Sequence, residues 1–189
     1  MIGWEFGDLL AAAQDSQEWA VAVLWRDLHP PLLRYLRGVE PGAAEDIESE
    51  TWLQAARDLH RFRGNEMEFR AWLFTIARHR LLDWRRHAAR RPARPVAPDQ
   101  LPESATPDDA ASAVMQNLDT DAALALVGTL PPDQAEVILL RVLGGLDATQ
   151  VASILGKRPG TVRVLQHRGL RRLAERLGRP ELQPRGVTR

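Results

Sequence analysis

The chain has no cysteine among its 189 residues. Disulfides, thiolate zinc sites and a cysteine nucleophile are therefore excluded, and a reducing, cytoplasmic setting is expected. Lysine is nearly absent: 24 of the 25 basic side chains are arginine, and the other is Lys157. No apolar run approaches the roughly 18 residues of a membrane span, so no membrane insertion is expected. The N-terminus lacks a basic stretch followed by an apolar one, so no secretory signal is expected either. Period-two strand patterns and Asn-Gly or Asp-Gly hairpin turns are missing. No internal repeat is present. Formal net charge is also absent, at +0.

That zero hides an ordered distribution. Residues 1–58 carry net −7, residues 59–95 net +7, residues 96–136 net −8 and residues 137–189 net +8. Residues 96–136 hold no basic side chain at all. GC-rich codon usage accounts for arginine over lysine, but not for alternating blocks. Arginine forks onto phosphate and guanine better than lysine does. Two separated basic blocks therefore suggest two contacts with nucleic acid.

Hydrophobic residues make up 44% of the chain, enough for a packed core. The reading is all-α: two small helical domains, an N-terminal helical bundle and a C-terminal helix-turn-helix domain, joined by an acidic, Pro-rich linker. Residues 1–89 form the first domain, 90–118 the linker and 119–189 the second. The linker carries closely spaced prolines and few large apolar residues, which suits neither a helix nor a core. Helices are expected near Trp4–Ala13, from Ser16 toward Arg37 with an interruption at Pro30-Pro31, over Ala43–Leu59, and from Glu68 to Ala89. After the linker come Asp119–Thr129, Pro131–Leu143, Ala148–Leu155 and Pro159–Leu177. Gly144-Gly145 stops the second of these four.

The segment LDATQVASILGKRPGTVRVLQHRGLRRL, Leu146 to Leu173, carries the sharpest signal. With Ala148 as first position, the fifth is Ala152, the ninth Gly156 and the fifteenth Val162. A helix-turn-helix needs a small residue, a turn residue and a buried apolar residue at those places. Gly156 supplies a positive φ, and Pro159 suits the first turn of the next helix. Val151, Leu155, Val162 and Leu165 should close a small core. Arg158, Arg163, His167 and Arg168 then face outward, as a helix entering the major groove requires.

Two helices of the first half add chemistry. In AEDIESETWLQAARDL, Ile47, Trp52, Leu53, Ala56 and Leu59 are expected to pack, and Glu45 and Asp46 suit a helix N-terminus. The carboxylates Glu45, Asp46, Glu48, Glu50 and Asp58 form a solvated face, a metal site or a docking face for a basic partner. A metal cage recruits oxygen ligands from several segments, and nothing else nominates one. In FRAWLFTIARHRLLDWRRHAARR, Phe69, Trp72, Leu73, Ile76 and Ala77 repeat at helical spacing and should be core. Arg78, Arg80, Arg85, Arg86, Arg90 and Arg91 make its far end basic, which suits phosphate. His79 and Asp83 hint at acid–base work, but no nucleophile, pocket or oxyanion donor accompanies them. The loop RFRGNEME before this helix, with Phe62 as an anchor and Gly64 as a turn, could clasp an unpaired base.

Taken in order, AEDIESETWLQAARDLHRFRG, FRAWLFTIARHRLLDWRR and LPPDQAEVILLRVLGGLDATQVASILGKRPGTVRVLQHRGLRRL resemble the second and fourth regions of bacterial sigma factors. The likeness is to the small extracytoplasmic-function (ECF) group, and it covers about residues 16–90 and 119–177. It implies an alternative sigma factor, without catalytic activity, cofactor or metal, that binds core RNA polymerase and directs promoter-specific initiation. Asp46, Ser49, Glu50, Trp52 and Leu53 would meet the clamp helices of the largest polymerase subunit. Phe62, Arg63, Asn65, Arg78, His79, Asp83 and Arg86 would engage the melted single strand of the −10 element. Lys157, Arg158, Thr161, Arg163, Val164, His167, Arg168 and Arg171 would read the duplex −35 element, with the second domain near the flap of the second subunit. The acidic linker would thread channels built for nucleic acid, as a polyanion mimic. Members of the group often have an anti-sigma factor that masks polymerase-binding surfaces.

The chain departs from the family's usual residues at several positions. Ser49 replaces a common glutamine, and His79 a common asparagine. The FRG loop is one residue longer. Arg158 stands where a capping serine is common, and Lys157 where an apolar residue is usual. All but the first fall on reading surfaces. Two other classes compete with this reading. A transcriptional regulator with a helix-turn-helix and a helical effector domain shares the last 60 residues, but the receiver-type version needs strands. A metal-dependent hydrolase built on His60, His79, Asp83 and the Glu45–Glu50 carboxylates lacks HExxH or any comparable spacing.

Overall fold

A computed structural model of the chain describes residues 6–90 and 120–178. Helix α1 spans Phe6–Gln14, α2 Glu18–Val39, α3 Ala44–Asp58 and α4 Glu66–Arg90. Short 3-10 turns at Pro41–Ala43 and Leu59–Arg61 flank α3. In the second half, α5 covers residues 120–128, α6 Pro132–Val142, α7 Ala148–Leu155 and α8 Pro159–Arg176. No strand occurs among the described residues. The fold is all-α, with a four-helix N-terminal bundle and a C-terminal helix-turn-helix domain. The linker expected from Arg90 to Leu118 lies, apart from Arg90, outside the described residues.

One expected interruption does not occur. Helix α2 runs unbroken through Pro30 and Pro31. Each proline removes an N–H and costs a helix interior roughly 3 kcal/mol. Against that, Leu24, Leu28, Leu32, Tyr35 and Leu36 are all buried along one stripe of α2. Each such side chain contributes about 1.5–3 kcal/mol on burial. The five together outweigh the two prolines, so the core holds the helix straight through them.

Helix α3 is rotated relative to its expected stripe. Its buried positions are Ala44, Ile47, Glu48, Thr51 and Ala55. Leu53, expected to pack, is 59% exposed, and Ala56 is exposed as well. Two polar residues replace apolar ones on the inner face because each finds a partner there. The Thr51 hydroxyl donates to the Ile47 carbonyl at 2.7 Å. Glu48 accepts from Trp52 Nε1 at 2.9 Å and pairs with His29 Nδ1.

Helix α4 buries Phe69, Leu73, Phe74, Ile76, Ala77 and Leu81. Phe6, Phe62, Phe69 and Trp72 form an aromatic cluster at its start, with ring centroids 5.2–5.7 Å apart. In the second half, α8 crosses α6 at Gly169. A Cβ there would lie 2.6 Å from Ile138 Cδ1, so any larger residue would force the Ile138 side chain or the helix to shift. Buried residues of both halves belong to one continuous core.

Candidate nucleic-acid interface

The helix-turn-helix is built by local rules at each junction. Asp147 caps α7, accepting from the backbone N–H of Thr149 at 2.7 Å and of Gln150 at 2.8 Å. Gln150 Oε1 accepts the Asp147 N–H at 2.9 Å, which completes a capping box. Gly156 ends α7 in the left-handed region, at φ 63° and ψ 33°. Pro159 starts α8 at its first turn. Val151, Ala152, Leu155 and Val162 are buried between the two helices, with Leu165 half-buried beside them.

Burying Val162, Leu165, Gly169 and Leu173 leaves the other side of α8 outward. Thr161, Arg163, Val164, His167, Arg168 and Arg171 are all exposed there. Arg171 pairs with Glu175 one turn on, at 3.3 Å. Arg158 occupies the N-cap position with extended backbone, and its side chain makes no cap hydrogen bond. Its exposed guanidinium therefore adds charge at the entrance of α8 rather than stability. Lys157 is held to Asp133 of α6 at 2.9 Å.

The second basic surface lies on α4, where His79 and Arg86 are exposed. Arg86 bonds Asp83 at 2.9 Å. Arg78 is taken inward, donating from Nε to Glu136 Oε1 at 3.0 Å. Arg85 donates to Glu40 Oε2 at 3.0 Å and to the Val39 carbonyl at 2.7 Å. Ahead of α4, Asn65 and Glu68 form a reciprocal cap. Asn65 Oδ1 accepts the Glu68 N–H at 3.0 Å, and Glu68 Oε2 accepts the Asn65 N–H at 2.8 Å. Phe62 packs edge-on against Phe69 at 82°. Gln14 Nε2 donates to the Phe62 carbonyl at 2.9 Å, tying the loop to α1. Phe62 and Asn65 thus shape the loop, and exposed Arg63 folds back on it, donating from Nη1 to the His60 carbonyl at 2.9 Å and to the Phe62 carbonyl at 2.7 Å.

A third surface is on α3. Asp46, Ser49, Glu50 and Leu53 are exposed, and Trp52 is half-buried. Sequence reasoning missed its extension onto α2. Trp25, 46% exposed, stacks on His29 with centroids 4.3 Å apart and planes 16° from parallel. His29 in turn meets Glu48, which holds Trp52. The i, i+4 spacing of Trp25 and His29 was the available signal. His60 is exposed near the start of the loop, with Nδ1 at the Arg57 carbonyl. Among the described residues, no three His, Asp or Glu side chains converge on a point that could hold a metal. No described helix is long and apolar enough to cross a membrane.

Residues 24–91 match Sigma-70 region 2, and residues 120–173 match Sigma-70 region 4. The ECF RNA polymerase sigma factor ShbA of Streptomyces griseus is 37% identical over 178 residues, covering 88% of this chain and 92% of that protein. The ECF RNA polymerase sigma factor SigD of Mycobacterium tuberculosis is 32% identical over 184 residues, covering 94% and 86%. Among solved structures, CnrH, in complex with the cytosolic domain of CnrY, is similar in fold. Its TM-score is 0.60 at 22% identity, over 92% of this chain and 97% of that one. The sigma factor RpoE of Bartonella quintana, in complex with the anti-sigma factor NepR, has a TM-score of 0.58 at 24% identity, over 83% and 95%. Both region matches and the identity to ShbA and SigD across most of their length agree: this chain belongs to the ECF sigma factors of RNA polymerase.

Proposed function

We propose that this sigma factor grips its promoter at two places while held on core RNA polymerase. Residues 1–89 act as the polymerase-binding and −10 domain, and residues 119–189 as the −35 domain. The single observation that carries the second assignment is the outward face of α8. Its arginines and His167 are displayed by a glycine turn and an uncapped, charged N-terminus. A helix so presented fits a major groove.

Thr161, Arg163, Val164, His167, Arg168 and Arg171 form the reading face, with Lys157 and Arg158 at its edge. Exposed His79, Arg86 and Arg63 are the first contacts for melted −10 strand, joined by Arg78 once it leaves Glu136. Phe62, Asn65 and Asp83 hold that surface in shape. On α3, Asp46, Ser49, Glu50 and Leu53 meet the clamp helices of the largest subunit, and Trp52 supports them from the half-buried side. The second domain sits near the flap of the second subunit. The protein is a cytoplasmic specificity subunit with no catalytic activity of its own. An anti-sigma factor that covers the α3 face is a further partner under this reading.

In vitro transcription with core polymerase across a promoter library tests the proposal. Specific start sites that depend on the added protein are expected. Arg163→Ala should weaken −35-dependent promoters and leave polymerase binding intact, while Leu53→Ala should do the reverse. Failure to start specific transcripts would overturn the reading.

A further inference from the structure

Helix α1 does more than fill out the bundle. It lies ahead of the region 2 segment, residues 24–91, yet it holds the loop in front of α4. Gln14, half-buried at the end of α1, presents its side-chain amide to that loop. Its Nε2 donates to the Leu59 carbonyl at 2.9 Å and to the Phe62 carbonyl at 2.9 Å. An amide nitrogen has two donors, and both are spent on one stretch of backbone 45 and 48 residues away. The opposite amide orientation would set Oε1 against two carbonyl oxygens, so only this one satisfies the contact.

The same two carbonyls shape the loop. The Leu59 carbonyl also accepts the Phe62 N–H at 3.0 Å, which closes the 3-10 turn Leu59–Arg61. The Phe62 carbonyl also accepts from Arg63 Nη1 at 2.7 Å. Arg63 thus ties the loop from the solvent side, and Gln14 ties it from the bundle side. Phe6 of α1 adds a side-chain tie. It is 4% exposed and meets Phe69 with centroids 5.7 Å apart, and Phe69 carries Phe62 at 5.2 Å. The position of Gln14 is itself fixed. The Ser16 N–H donates to the Ala13 carbonyl at 3.1 Å and the Gln17 N–H to the Ala12 carbonyl at 2.9 Å, which closes the end of α1.

We propose that Gln14 is a positioning residue for promoter opening: through the Leu59 and Phe62 carbonyls it presets the loop that takes an unpaired −10 base, and so sets how sharply that base is read. The inference rests on reading the loop as a strand contact. Arg63 gives up its bonds to the His60 and Phe62 carbonyls when its guanidinium turns to a phosphate. Gln14 is neutral and lies beneath the loop, so its two bonds persist through that exchange. A loop held at two carbonyls keeps its shape while Arg63 changes partner. A loop held by Arg63 alone would loosen at that moment.

The effect falls on base choice. An ordered loop has lost its conformational freedom at folding, so less is lost when a base arrives. It also cannot relax around a wrong base, so the difference between right and wrong base stays large. Phosphate contacts made by exposed arginines such as Arg86 do not pass through Gln14. The sequence-independent, salt-sensitive part of binding is therefore untouched by it.

Two variants test this. Gln14→Met keeps the length of the side chain and removes both donors. Gln14→Glu keeps the shape and sets a carboxylate against the two carbonyls. Backbone amide exchange in the free whole chain reads the loop without polymerase or DNA. Exchange at Phe62 should rise about tenfold in Gln14→Met, equivalent to about 1.4 kcal/mol, and further in Gln14→Glu, while amides of α2 and α3 keep their rates. Holoenzyme assembled from core polymerase and each variant is then compared on promoters carrying single-base changes in the −10 element. Discrimination at one or two of those positions should fall about fivefold, the scale of one hydrogen bond. Discrimination at the −35 element and affinity for core polymerase should not change. A merely structural residue would lower all starts alike and raise exchange throughout the bundle. That pattern, unchanged exchange at Phe62, or −10 discrimination equal to that of the wild type would each overturn the proposal. If wild-type holoenzyme itself ignores every −10 change, the promoter reading fails instead, and exchange at Phe62 alone decides whether Gln14 sets the loop.

Discussion

Trp52 donates its indole N–H to Glu48 Oε1 at 2.9 Å, one turn earlier on α3, and the same oxygen holds His29 of α2. Glu48 is only 7% exposed. The cluster therefore does structural work beneath the exposed α3 face that we propose meets core polymerase. Leu53, the next residue, projects with 59% of its surface free. Under that proposal, neighbouring positions on one helix separate stability from docking.

That separation gives the first prediction. Glu48→Ala leaves the half-buried Trp52 indole and His29 without their acceptor. Stranding such donors costs roughly 1–3 kcal/mol, so a lowered thermal midpoint is expected. Leu53→Ala should leave the midpoint unchanged and weaken core polymerase binding about tenfold, the scale of one lost interface anchor. Thermal unfolding and a polymerase binding titration check the pair. Equal stability of both variants would refute the assignment.

Arg158 sets up an opposition between stability and binding. It fills the N-cap of α8 without capping it. Arg158→Ser should stabilise the protein by about 0.5–2 kcal/mol, the usual range for gaining a serine cap. The same change removes a cation that the proposed reading places beside the duplex, so the salt dependence of −35 binding should fall by about one unit of slope. Chemical denaturation and DNA binding at several salt concentrations read the two effects separately.

The helix-turn-helix was legible because its determinants are local. Gly156, Pro159 and the Val151–Leu155–Val162 spacing act within a dozen residues, and the structure places each as expected. What escaped sequence reading is long-range or depends on rotation. Tyr35 and Glu136 are 101 residues apart, and neither looks unusual in its own segment. Gly38 reads as a weak point in a helix until Leu139 is seen against it. On α3, a polar Glu48 inside and an apolar Leu53 outside invert the simple pattern. The inversion became possible because His29 and Trp52 satisfy the buried carboxylate. Pro30-Pro31 misled for the opposite reason: the local penalty is real, but tertiary burial along α2 exceeds it.

Gly169 supplies a prediction in which propensity and packing disagree. Replacing a mid-helix glycine by alanine gains roughly 0.5–1 kcal/mol of helix propensity. Here the new methyl would stand 2.6 Å from Ile138 Cδ1 and 3.4 Å from Gln134 Cβ. Overpacking of that kind costs about 1–3 kcal/mol. Gly169→Ala should therefore be destabilising overall. Pairing it with Ile138→Val, which withdraws the clashing methyl, should recover part of the loss. A stabilised single variant in thermal unfolding would show that α8 can shift away from α6 at little cost.

Under the proposed reading, position along α8 decides which arginine reads sequence and which anchors the backbone. Arg163 is the fifth residue of the helix, near the end proposed to meet base edges. Arg171 lies eight residues further, about 12 Å along the axis, and is paired with Glu175. Arg163→Ala should relax preference at one −35 base pair by about 1–3 kcal/mol, seen when single-base variants of a promoter are compared. Arg171→Ala should weaken all sequences alike and lower the salt slope by about one, since a single phosphate contact is lost. Both residues are exposed, so neither change should move the thermal midpoint by more than about 0.5 kcal/mol in equivalent stability. Were Arg171→Ala to change base preference while Arg163→Ala changed only the salt slope, α8 would have to enter the groove by its other end. The placement of Thr161 on the reading face, and of Lys157 and Arg158 at its edge, would then fall with it.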